Sequence, residues 1–185
     1  MSLPFRIYPV RKDEVLRRSA MRNPSAEEMR LLDECCRDGG YVLEYHITER
    51  PRALEIVKDE ALREALSGCE AVIVFTASLG DAFRDLVESH DEPEKDILYQ
   101  GLAAERMDAL IESYLDYKEN ILKTSGAVLT SHYPFSWNGV EENSCTATRI
   151  VGIGMHPEQV RQSRCRTCFV ADCPSRRESP QESKT

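Results

Sequence analysis

The longest uninterrupted apolar run in the chain is residues 71–75 (AVIVF). Its β-branched make-up predicts a central strand covered on both faces. Residues 76–80 (TASLG) then turn into a helix beginning near Asp81. Upstream, residues 12–18 predict a short helix. Ser25 and Glu28 form the S-x-x-E signature of a second helix, running to Arg37 and closed by Gly39 and Gly40. Residues 41–47 alternate as a strand does, and residues 58–66 predict a helix stopped by Gly68. The longest element is expected over residues 94–123, where Ile97, Leu98, Met107, Leu110, Ile111, Tyr114, Leu115, Ile121 and Leu122 recur near helical spacing. Gly101 is expected to interrupt that helix and Gly126 to cap it. Residues 127–129 restart extended structure, residues 133–139 (YPFSWNG) form an aromatic turn, and residues 150–154 are a last apolar segment. The fold class is α+β, with helices around a small mixed or antiparallel sheet.

The length of 185 residues fits one domain, or one domain with an appendage, and excludes two full-sized catalytic domains. With 41% hydrophobic and 30% charged residues, a folded body is expected. A net charge of -8 repels phosphate backbones and anionic membranes, so neither nucleic acid nor membrane is an expected partner. The chain holds no apolar stretch long enough for a membrane span, and residues 1–10 lack the pattern of a secretory signal. A cytoplasmic location is therefore expected, where seven cysteines are thiols or metal ligands rather than disulfides.

Charge divides the chain unevenly. Residues 1–160 carry net -11, whereas residues 161–185 carry net +3. The expected organisation is an α+β body over residues 1–160, a cysteine-rich segment over 161–177 and a disordered tail over 178–185 (ESPQESKT).

The sharpest local signal is Cys165, Cys168 and Cys173, set as CxxC and then a third cysteine within RCRTCFVADCPSRR. Thiols two residues apart converge on one ion, and flanking arginines favour the thiolate. Cys173-Pro174 favours an iron–sulfur cluster, with zinc the competitor. A closed site needs a fourth ligand; Cys145, in the polar segment EENSCTAT, is preferred and His156 is the alternative. Cys35, Cys36 and Cys69 are expected to be packing residues. His46, His90 and His132, taken singly, are expected to be structural.

Glu105 and Glu112 lie seven apart on one face of the long helix, as binding groups or as a solvated acidic face. Gly152-Ile153-Gly154 lacks the third glycine of a dinucleotide fingerprint, and the chain has neither a Gly-x-Ser-x-Gly elbow nor a GK[ST] loop. Common enzyme classes find no support in these motifs.

Several segments together resemble the activation domain of cobalamin-dependent methionine synthase, and in particular its stand-alone corrinoid-reactivating relatives. They are KDEVLRRSAMRNPSAEEMRLLDE (12–34), CEAVIVFTASLGDAFRDLVESHDEPEKDILYQGLA (69–103), AERMDALIESYLDY (104–117) and RIVGIGMHPEQVRQSRCRTCFVADCPSRR (149–177). Each motif is loose, and the shared order carries the resemblance. It implies a C-shaped domain that binds S-adenosylmethionine and docks on a corrinoid protein or cobalamin-dependent methyltransferase. There an electron and the methyl group of S-adenosylmethionine return cob(II)alamin to methylcobalamin. Cobalamin is met only through the partner. Glu105 and Glu112 stand at positions similar to acidic ones of the family, and His132 with Tyr133 stands where the family's S-adenosylmethionine loop lies. The chain departs from the family in having no Pro-Gly-Tyr, a histidine in place of the loop's arginine, and only residues 138–149 between Trp137 and Ile150. The alternative is a non-catalytic partner-binding module in which the cysteines hold structural zinc.

Overall fold

The apolar run at the centre of the sequence becomes β2 (Ala71–Ser78), the middle of a four-stranded sheet. Successive side chains of a strand point to opposite faces, so β2 feeds two cores. Ile73, Phe75 and Ala77 join a large inner cluster, while Val72 and Val74 join a smaller outer one. The computed structural model describes residues 3–89, 92–137, 140 and 142–155. The other strands are β1 (His46–Arg52), β3 (Val128–Pro134) and β4 (Thr146–Gly154), in the order β1-β2-β4-β3. Every pairing is antiparallel. The fold is α+β, and of the two expected sheet types it is the antiparallel one.

Four helices cover the inner face: α1 (Lys12–Arg18), α2 (Ala26–Val42), α4 (Asp81–Glu88) and α5 (Pro93–Leu122). Helix α5 starts where its sequence allows. Pro93 occupies the first turn, where a missing N–H costs nothing, and Glu94 and Asp96 favour the positive end of the helix dipole. Leu98, Leu102, Leu110 and Leu115 are buried along it. Helix α2 opens on the expected capping box. The Glu28 N–H donates to Ser25 Oγ and the Ser25 N–H to the Glu28 carboxylate. Gly80, at φ +86°, makes the turn from β2 into α4 in a conformation that favours glycine.

The outer face is partly covered by a 3-10 turn (Leu54–Ile56) and α3 (Glu60–Ala65). Val57, Leu66, Val72, Val74 and Ile150 form its core, with Tyr133, Phe135 and Trp137 packed against it.

The structure departs from the sequence expectations in four places. The strand expected over 41–47 lies instead at His46–Arg52, because α2 continues to Val42 and leaves Tyr41 81% exposed. Gly39 does not stop α2. It is buried inside the helix, where an added Cβ would meet Leu102 and Phe83 at 3.0 Å. Gly101 does not interrupt α5 either, since its missing side chain lets α1 cross closely; a Cβ there would lie 2.9 Å from the Val15 carbonyl oxygen. The aromatic turn begins later than expected, because β3 runs through His132, Tyr133 and Pro134, paired with Val151, Ile150 and Arg149.

The cysteine-rich segment 161–177 and the tail 178–185 lie outside the described residues. Among the described residues no helix is long and apolar enough to cross a membrane.

Candidate functional site

Glu105 and Arg106 are neighbours on α5 and nearly inaccessible, at 2% and 3% exposed. Two ionised groups taken out of water need partners for every charge and donor. Arg106 meets that need by donating from Nε to Glu105 Oε2 at 2.6 Å and from one terminal nitrogen to Oε1 at 2.9 Å. Its remaining donors reach the carbonyl oxygens of Tyr8 (2.8 Å) and Pro9 (2.9 Å) and the Tyr45 hydroxyl (3.2 Å). The Arg11 N–H, at the N-cap of α1, donates to Glu105 Oε1 at 3.3 Å. The carboxylate is thus fully engaged by α5 itself and by the segment leading into α1.

Around this pair, residues 3–11 run antiparallel to α5. Phe5 stacks on Tyr117 at 5.2 Å and tilts against Tyr114 at 6.1 Å. The Tyr8 N–H donates to Ser113 Oγ at 3.1 Å, and the Tyr8 hydroxyl donates to Asp116. From Phe5 to Arg11 is about 20 Å of extended chain, and from Tyr117 back to Glu105 is about 18 Å of helix. The similar lengths let the segment keep partners on α5 from Tyr117 back to Glu105.

Glu112, seven residues beyond Glu105 on α5, is half-buried and has a polar partner of its own. Tyr114 sits under the sheet edge, where its hydroxyl donates to Glu49 and Lys118 donates to the same carboxylate at 2.7 Å. Burial, and then the Glu49 carboxylate, push the Tyr114 phenol up, so it remains a hydrogen-bond donor.

The four residues expected to meet S-adenosylmethionine are not brought together. Glu105 and Glu112 lie on α5, on the inner side of the sheet. Tyr133 packs into the outer cluster, opposite Ile150, and burial raises its pKa. The sheet stands between them. His132, one position earlier on β3, pairs with Val151, which belongs to the inner core. Because side chains alternate along a strand, consecutive residues of β3 cannot both face α5.

Of the four expected metal thiols, Cys165, Cys168 and Cys173 lie outside the described residues, as does the alternative ligand His156. Cys145 is 1% exposed and belongs to the inner core, with its carbonyl accepting from the Leu79 N–H at 3.0 Å. Burial pushes its thiol up, only partly opposed by Ser144. A metal ligand must be a thiolate, so the seat of Cys145 fits a packing role better than a ligand role. Among the described residues no three His, Cys, Asp or Glu side chains are grouped to hold a metal ion. Cys35 is buried, as expected for a packing residue; Cys36 and Cys69 are half-buried, and burial raises all three thiols. His46 begins β1, exposed, with Nε2 3.6 Å from Glu44; His90 lies outside the described residues.

Sequence reasoning missed Arg106 and the segment that it fastens. The signal was present in AERM, where two adjacent charges stand between the apolar residues Leu102, Ala103, Met107 and Ala109. No protein-family model matches the chain, and no curated protein matches it.

Proposed function

We propose that the chain is an accessory protein for the reductive reactivation of a corrinoid-dependent methyltransferase system. The observation that carries this reading is the shared order of four segments, 12–34, 69–103, 104–117 and 149–177, with the corrinoid-reactivating activation domains. On this reading Glu112 of α5 is the acidic group offered to the sulfonium cation, since Glu105, the other family-like position, is already paired with Arg106. In this role the protein holds S-adenosylmethionine beside the partner's cobalt, so that its methyl group passes to the reduced metal. Capture of the methyl group makes an unfavourable reduction effectively irreversible. Cys165, Cys168 and Cys173 hold an iron–sulfur cluster, or zinc, within a segment of net positive charge. His156 is the better fourth ligand, because Cys145 is committed to the core. The location is cytoplasmic.

A second reading, a partner-binding module with structural zinc, is favoured by one specific observation: Arg106 already neutralises Glu105. Purification without oxygen followed by metal analysis separates the two. Iron with labile sulfide, and micromolar heat on titration with S-adenosylmethionine, support reactivation. One zinc per chain with no such heat supports the module. A metal-free protein that retains no corrinoid protein in a pull-down defeats both.

A further inference from the structure

We draw no further inference here: the strongest candidate, the aromatic patch of Phe135 and Trp137 on the outer face of the sheet, where Arg52 lies over the Trp137 ring and the indole N–H is buried without a hydrogen-bond partner among the described residues, carries nothing, because residues 138, 139 and 141 beside it lie outside the described residues and nothing in the structure shows what covers it.

Discussion

Arg106 donates to both carboxylate oxygens of Glu105, the residue beside it on the same helix, and the two share a site from which water is almost wholly excluded. Adjacent helical residues point about 100° apart, and this pair meets where both side chains also bond to residues 8–11 alongside α5. Removing one partner leaves the other charged and buried. Arg106→Met is expected to cost about 3–5 kcal/mol in urea denaturation, and the double change Glu105→Gln with Arg106→Met distinctly less. Equal losses in the single and the double variant would show that the charge pair is not the source of the effect.

Two glycines in helices should respond with opposite sign. A Cβ on Gly101 meets a backbone carbonyl, that of Val15, at 2.9 Å, and a carbonyl fixed inside α1 cannot swing aside as a side-chain tip can. Gly101→Ala is therefore expected to push α1 away and cost about 2 kcal/mol. Gly40 has nothing within 4 Å of its added Cβ and lies within α2, so Gly40→Ala should gain about 0.5–1 kcal/mol through reduced freedom of the unfolded chain. Thermal denaturation of both variants checks the pair; a loss at Gly40 would mean that α2 does not continue through it.

What could be read from the sequence was what is decided locally. The capping box of Ser25 and Glu28, the apolar run of β2 and the apolar stripe of α5 each lie within a few residues of their cause, and each forms where expected. The remainder depends on partners distant in the chain. Gly39 and Gly101 look like helix stops until Phe83 and Leu102, or Val15, are placed beside them. Strand β1 carries Glu49, Arg50 and Arg52 at the sheet edge, where solvation weakens the alternation that marks a strand. The side of the sheet on which Tyr133 lies follows from its register with Ile150, which no local pattern states. The same holds for the candidate site. The acidic spacing of Glu105 and Glu112 was visible, but the cover over Glu105 comes from residues some hundred positions earlier.

Acid sensitivity should be concentrated between α1 and its own basic end. The Arg17 hydrogen bond, with Arg18 adding to it against the cost of burial, holds the Glu14 carboxyl at about 2, below its ordinary 4.5. A folded-state pKa below the unfolded one means that the unfolded chain takes up the proton first. Stability from Glu14 is complete above the unfolded value and is lost as pH falls from 4.5 toward 2. Glu14→Gln is expected to lose about 1 kcal/mol at neutral pH, with the gap to the parent protein closing as the pH is lowered through that window. Urea midpoints measured at a series of pH values check this; a gap that stays constant down to the acid limit would place the effect elsewhere.

If the C-terminal thiols hold a metal as proposed, its content should be indifferent to Cys145 and sensitive to those thiols. Cys145 is packed at 1% exposure beside Ala147 and the Leu79 backbone, and burial keeps its thiol protonated. A ligand role would require that proton to be lost inside an apolar core, against a desolvation cost that only direct coordination could repay. Cys145→Ala is therefore expected to lower stability by about 1–2 kcal/mol through the vacated volume, and to leave the iron or zinc per chain unchanged in protein purified without oxygen. Cys168→Ala should abolish that metal, and His156→Ala should weaken its retention against a chelator. If Cys145→Ala emptied the site, Cys145 would have to leave the core when metal binds. The Leu79 N–H would then lose its acceptor, and its amide exchange would speed up in the metal-loaded protein.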